Sequence, residues 1–240
     1  MSNLLENLEW DSSFFGYPVA KIIAEQISVE KLTALTEQAK INGIRLLYIF
    51  TDPADEVSVN AANITGAKLV DRKITFYKKI DRSDDSTADD HIELFKEDHP
   101  SGQLVSLSIQ SGLYSRYKID PGFKNNEFEK LYIAWIKNSV NKKIADHTFV
   151  YKEDGIMLGF VTLKVRDSIG QIGLIAVDEG SRGKSIGKKL IAAVITHLLQ
   201  DNIQDLEVAT QIDNVDACNF YKKVGFTGIK TENIYHIWVK

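Results

Sequence analysis

An apolar run with several β-branched residues, Ile172–Val177, gives way at Asp178 to a small, polar and basic stretch, and this leads without a break into a helical pattern. Few folds accept that order: it reads as strand, loop, helix. In the helix Ile186, Leu190, Val194 and Leu198 recur every fourth residue, a spacing that makes one continuous apolar stripe and predicts a helix docked on a sheet. The first turn of such a helix has backbone N–H groups without intrahelical partners, and the macrodipole adds partial positive charge. An anion, and phosphate in particular, fits there. Gly183 and Gly187 let backbone approach the anion closely, and Arg182, Lys184, Lys188 and Lys189 put four cations around the same turn.

The 240 residues can bury an ample core as one large domain or two small ones. A formal charge of −4 leaves no basic footprint for nucleic acid. Cys218 is the single cysteine, which excludes an internal disulfide and suits a reducing, cytoplasmic compartment; on its helix it reads as a small core residue rather than a catalytic thiol. Met1–Trp10 has neither a basic n-region nor an apolar h-region, so no signal peptide is expected. No apolar run is long enough to span a bilayer. The histidines, His91, His99, His147, His197 and His236, show no ligand-like spacing, and no metal is expected.

In chain order, Leu8–Pro18 is a turn-rich, aromatic opening that plugs the first sheet; Val19–Ile23 reads as a strand, Val29–Ile41 as an amphipathic helix, and Leu46–Phe50 as a second strand. A short helix over Val59–Ile64 stops at Gly66, and Ile74–Ile80 alternates as a strand. Helices are predicted over Gln103–Leu113 and Phe128–Val140, and a hairpin around Glu153–Gly155 joins Phe149–Tyr151 to Gly159–Val165. The polar, acidic stretch Asp81–Asp90 reads as a linker. The first third repeats the last third without a gap: Leu47 falls on Leu206, Thr51 on Thr210, Gly66 on Gly225 and Ala67 on Phe226. The earlier copy puts Ala62 opposite Tyr221 and has no glycine-rich basic loop before its helix. Only the later copy is equipped to bind a phosphate.

Arg182–Gly187 has the form Arg-x-x-Ser-x-Gly, and downstream stand Asn214, Tyr221, Gly225 and Phe226. This pattern resembles the GCN5-related N-acetyltransferase (GNAT) family, with Ser185 at the position where the family usually has the first glycine of its pyrophosphate loop. The resemblance implies an α/β GNAT fold, a mixed and mostly antiparallel sheet flanked by helices, with a degenerate GNAT-like amino-terminal lobe. Residues 1–80 are expected to form that lobe, 81–95 a linker and 96–240 the catalytic domain. Acetyl-CoA is the implied co-substrate. Leu174, Ile175, Ala176 and Val177 would offer backbone N–H groups to pantetheine and the thioester oxygen, Arg182, Gly183, Lys184, Ser185, Ile186, Gly187 and Lys188 would hold the pyrophosphate, and Asn214 would contact the coenzyme arm while capping its helix. Tyr221 would be the general acid, on a helix face shared with Cys218 and apart from a core stripe of Ala217, Phe220 and Val224.

For the acceptor, Leu8–Asp11, Phe14–Gly16, Ser115–Tyr117, Tyr132–Val140 and Leu206–Gln211 resemble a subgroup of the family that acetylates the 4-amino group of a dTDP-linked 4-amino-4,6-dideoxygalactose. That implies a nucleotide-sugar partner held by Ser115, Arg116, Tyr117 and Lys118, with Asp71 as a general base acting through water. A solvated turn at 115–118 and an exposed strand-edge charge at Asp71 are the plainer readings. A peptide or protein amine is the alternative acceptor, a coenzyme-binding module without catalysis is the alternative class, and a homodimer is compatible with either.

Overall fold

The computed structural model describes residues 4–84 and 89–240. The amino-terminal part runs β1 (Leu5–Asn7), α1 (Glu9–Phe15), β2 (Val19–Ile22), α2 (Val29–Ile41), β3 (Leu46–Thr51), α3 (Glu56–Ile64) and β4 (Lys68–Lys79). Helix α2 begins where Ser28 Oγ accepts from the Lys31 N–H at 3.3 Å and buries Leu32, Leu35 and Ala39, as its periodicity requires. The opening, expected to be turn-rich, contains α1. Its cap position, Leu8, makes no side-chain bond, so no start signal is written in the sequence; Gly16, at φ +77°, ends it.

The chain continues as β5 (Ile92–Leu94), α4 (Gly102–Ser111), α5 (Arg116–Ile119), α6 (Glu127–Val140), β6 (His147–Glu153), β7 (Ile156–Arg166), β8 (Ile169–Val177), α7 (Ile186–Gln200), β9 (Asp205–Gln211), α8 (Val215–Lys223) and β10 (Thr227–Trp238). The α7 stripe is core: Ile186 is 2% exposed and Leu190, Val194 and Leu198 are fully buried. Within the stretch expected as linker, residues 85–88 lie outside the described residues, and Ile92–Leu94 forms β5 against β6. Among the described residues no helix is long and apolar enough to cross a membrane.

All ten strands join one sheet in the order β1-β2-β3-β10-β4-β9-β8-β7-β6-β5. Strand β10, last in the chain, lies between β3 and β4, so the segments 1–80 and 96–240 share this sheet. The repeat explains the insertion. The offset of 159 residues that separates Lys73 from Glu232 carries α3 onto α8 and β4 onto β10, end to end. The same offset maps the β3–β10 rungs, such as Phe50 with Ile234, onto the β9–β4 rungs, such as Ala209 with Thr75. In each copy the strand after the helix pairs with the other copy's strand. Lys73 and Glu232 are equivalent positions that face each other as a rung, 3.2 Å apart as an ion pair, and so mark an approximate two-fold axis between β4 and β10.

Candidate active site

Strand β8 pairs in parallel with β9 only from Ile169 to Ile172. At Gly173–Leu174 the register slips opposite Thr162, whose Oγ1 accepts from the Leu174 N–H at 2.8 Å. Past this bulge Ile175–Val177 keep β7 on one side and face α8 across a groove of about 690 Å³ on the other. Of the expected coenzyme residues, Ile175, Ala176, Val177, Arg182, Gly183, Ser185, Ile186, Gly187, Lys188, Asn214 and Tyr221 line this groove. Lys184 stands outside its wall. Leu174 lines the neighbouring cavity instead, and its N–H is already engaged by Thr162. Lys189 is also withdrawn from the phosphate turn: its Nζ lies 3.0 Å from Asp89.

The loop enters α7 through two left-handed residues, Gly183 at φ +82° and Ser185 at φ +62°. A glycine occupies such a position freely, whereas a serine does so under strain. The Ser185 side chain makes no capping bond within the protein, so its hydroxyl remains available to a phosphate. Asn214 caps α8 by accepting from the Ala217 N–H at 3.2 Å.

A second cavity, about 430 Å³, adjoins the groove and shares Ser111, Ile175, Asn214, Ala217 and Tyr221 with it. Both halves of the chain build it. Strands β3 and β4 contribute Phe50, Asp71 and Lys73; the α5 turn contributes Ser115, Arg116 and Tyr117; α6 contributes Tyr132 and Trp135; and β9 contributes Gln211. The α6 aromatics come close because α4 ends at Gly112, where a Cβ would lie 2.1 Å from the Tyr132 ring. Lys118 is placed off this cavity, over the Phe128 ring and 3.8 Å from Glu129.

Three buried polar atoms of the cavity residues have no hydrogen-bond partner: Asp71 Oδ1, Ser115 Oγ and Arg116 Nε. Gln110 Oε1, in the wall of the first groove, is a fourth. Unpaired buried polar groups cost free energy in an empty site and are satisfied when a ligand arrives. Arg116 is held rigidly: Nη2 donates to the Tyr117 hydroxyl at 2.7 Å, and the guanidinium lies 4.4 Å from the Tyr48 ring centre and 5.5 Å from that of Phe50. Asp71 is 8% exposed, and one of its oxygens accepts from Gln211 Nε2 at 3.5 Å. Burial outweighs the opposing pull of Arg116 and raises its carboxyl pKa to about 6.

Tyr221 forms part of both walls. Its ring packs against Phe76 and Phe226, with centroids 5.5 and 5.7 Å away, and burial raises its phenol pKa. The helix faces are the reverse of those expected. Tyr221 and Cys218 point into the core at 3% and 8% exposure, while Ala217, Phe220 and Val224 are half-buried and line the groove. The helix lies over an opened sheet, so its apolar outer stripe faces the groove. Sequence reasoning left Lys73, Ser111, Tyr132, Trp135 and Gln211 unassigned, although the last three lie in stretches that resemble the amino-sugar subgroup.

A sheet that parts beside a bulged strand, with a glycine-bearing loop and helix at the opening, defines the GNAT acetyltransferase fold, and this chain has it. Residues 112–226 match the acetyltransferase (GNAT) family model. Among curated relatives, the spore coat polysaccharide biosynthesis protein SpsD of Bacillus subtilis is 30% identical over 135 residues, covering 56% of this chain and 46% of that protein. A mycothiol acetyltransferase of Actinosynnema mirum is 31% identical over 90 residues, 36% of this chain and 30% of that one. The chain thus spans less than half the length of either relative. Among solved structures, a functionally unknown protein from Staphylococcus epidermidis superimposes with a TM-score of 0.63 at 14% identity, covering 93% of this chain and 85% of that one. A tandem GNAT protein from the clavulanic acid biosynthesis pathway superimposes with a TM-score of 0.58 at 14% identity, over 94% and 76%. These likenesses establish the fold over nearly the whole chain.

Proposed function

We propose that the protein transfers the acetyl group of acetyl-CoA to the amine of a nucleotide-linked amino sugar, a dTDP-4-amino-4,6-dideoxyhexose, by direct attack in a ternary complex. One observation carries this reading: two cavities meet at Tyr221, one walled by an anion-binding helix start, the other by a rigid guanidinium with a free Nε, an unpaired carboxylate oxygen and aromatic rings. Such a second cavity suits an acceptor that is anionic, ring-shaped and basic at one point. Arg116 would meet the diphosphate, and Trp135, Tyr132 and Phe50 would meet the apolar face of the sugar. A peptide amine calls for an open, acidic cleft and is the poorer fit. The name of the Bacillus subtilis relative, a polysaccharide biosynthesis protein, points the same way.

Asp71, ionised at neutral pH, would accept the proton of the acceptor ammonium, directly or through one water. The freed amine then attacks the thioester carbon. Backbone N–H groups of Ile175–Val177 would stabilise the developing oxyanion, an effect worth about 3 kcal/mol per pre-aimed donor. On collapse the C–S bond breaks and Tyr221 gives its proton to the sulfur. A high phenol pKa keeps that proton in place until the thiolate forms. Gly183, Ser185 and Lys188 would hold the coenzyme pyrophosphate at the start of α7.

The test is a mass spectrum of dTDP-4-amino-4,6-dideoxygalactose after incubation with acetyl-CoA and the protein, with the free amino sugar and a lysine peptide alongside. Gain of one acetyl group by the nucleotide sugar alone is the expected result. Acetylation of the peptide alone would remove the sugar reading and keep the coenzyme site.

A further inference from the structure

We propose that Gln211 is a positioning residue for the acceptor site, its side-chain amide holding one oxygen of Asp71 and leaving the other unpaired beside the cavity that both residues line. The inference rests on the reading of Asp71 as the base. The β4–β9 ladder runs from Lys79–Asp205 to Lys73–Gln211, and one further backbone bond, the Ile212 N–H to the Arg72 carbonyl at 2.7 Å, closes it. Asp71 lies two residues past that last rung, on the same face as Lys73, where β9 offers it no backbone partner. Gln211, the last residue of β9, reaches diagonally across the opening: Nε2 donates to Asp71 Oδ2 at 3.5 Å, and Oδ1 is left unpaired. Both side chains line the acceptor cavity.

The backbone of Gln211 is fixed separately from its side chain. Its carbonyl accepts the Asn214 N–H at 3.0 Å and the Cys218 thiol at 3.5 Å. The residue that aims the base is therefore anchored to the amino-terminal turn of α8, the helix that carries Tyr221. One short bonded path sets the base against the acid across the reacting centre. A general base oriented by a third group is the common logic of proton-transfer sites.

The groups facing Asp71 are Arg116 from α5, Tyr132 from α6, Lys73 on its own strand and Asp213 from the turn before α8. Gln211 adds a neutral donor to this set. A donor to the ionised form favours it, so removing the amide leaves Asp71 harder to ionise and freer to turn.

Gln211→Met keeps length and volume but has no donor, so a merely structural role would survive it. The side-chain carboxyl of Asp71 is followed by ¹³C NMR titration of the free protein, its signal identified by loss in Asp71→Asn. In Gln211→Met the midpoint should rise by about one pH unit, and the acid limb of kcat/KM with dTDP-4-amino-4,6-dideoxygalactose should move with it. That is a loss of about tenfold on the acid side with the KM for acetyl-CoA unchanged. An unmoved midpoint overturns the role of Gln211. If the midpoint moves while Asp71→Asn retains full rate, Gln211 does orient Asp71 and the reading of Asp71 as base falls.

Discussion

The two copies of the strand–helix–strand unit share a frame down to the sheet register, yet only one opens a groove. In the later copy Ser185, Ile186, Asn214 and Ala217 line the groove. The offset of 159 residues carries these onto Gln26, Ile27, Asp55 and Ser58, and there the same four positions bond one another. Gln26 Nε2 donates to Asp55 at 2.9 Å, the Ile27 N–H donates to Ser58 Oγ at 2.8 Å, and Ile27 is 2% exposed. The earlier copy has filled its groove with its own side chains, and its counterpart of Tyr221 is the fully buried Ala62. Function here depends on what the frame leaves unpaired. The earlier copy still contributes to the second cavity, whose wall includes Phe50, Asp71 and Lys73 from its strands.

The sharpest break between the copies is at Tyr221. Tyr221→Phe keeps the ring between Phe76 and Phe226 and removes only the hydroxyl. We expect kcat to fall by about 10²- to 10⁴-fold, the range for loss of a general acid, with acetyl-CoA affinity unchanged by calorimetry. Full rate in this variant would leave the difference between Tyr221 and Ala62 without chemical meaning.

A second contrast lies in the exchanged strands, where Tyr77 in β4 corresponds to His236 in β10. Tyr77 bonds Asp205 at the surface, whereas His236 is 1% exposed and its Nδ1 lies 2.6 Å from Asp120. Burial and the nearby Arg116 depress the His236 pKa to about 4 against the pull of Asp120, so the imidazole is neutral and Nδ1–H donates. The folded pKa lies below the unfolded value of 6.5. The unfolded chain therefore binds more protons between these values, and stability is full above about pH 6.5 and lost as pH falls towards 4. Denaturant titrations at pH 7 and pH 4.5 should differ by about 2 kcal/mol, and His236→Asn should flatten that slope. Tyr77→Phe should not.

What the sequence disclosed follows from periodicity and local signals. Stripes such as Ile186–Leu198, the amphipathic pattern of Val29–Ile41 and the gap-free repeat are all local or self-referential, and each predicted an element that is present. Strand β10 was missed because its residues from Thr227 to Lys230 are exposed and its partners lie far away in the chain. The face of α8 was reversed because amphipathicity does not distinguish a stripe that faces the core from one that faces a groove. Arg116 stood in a stretch singled out by the resemblance and Asp71 was named from the resemblance alone, and both line the second cavity. Gln211 lay in such a stretch without a role, and Lys73 was not singled out at all, since their place beside the cavity comes from the ending of the β4–β9 ladder, which only the fold reveals.

The caps test the comparison more gently. Asp55 and Asn214 are equivalent, and each accepts from the backbone three residues on, Ser58 and Ala217. Replacing either with alanine should cost about 1 kcal/mol of stability, measured by denaturant titration. Only Asn214→Ala should also raise the KM for acetyl-CoA, because only that cap borders an open groove.

Ser185 gives the smallest effect and separates backbone from hydroxyl. Its counterpart Gln26 makes a side-chain bond within the protein, whereas Ser185 is held at φ +62° with no capping bond. Ser185→Gly relieves the left-handed conformation and should stabilise the protein by up to about 1 kcal/mol, a rise in Tm of roughly 2–4 °C. Ser185→Ala keeps the strain and should give no such gain. If the hydroxyl donates to the coenzyme phosphate, both variants weaken acetyl-CoA binding, by about fivefold for one hydrogen bond worth about 1 kcal/mol. Equal affinity in wild type and Ser185→Ala would instead mean that serine is tolerated here only for its small size, and that the backbone N–H groups of the turn hold the phosphate without it.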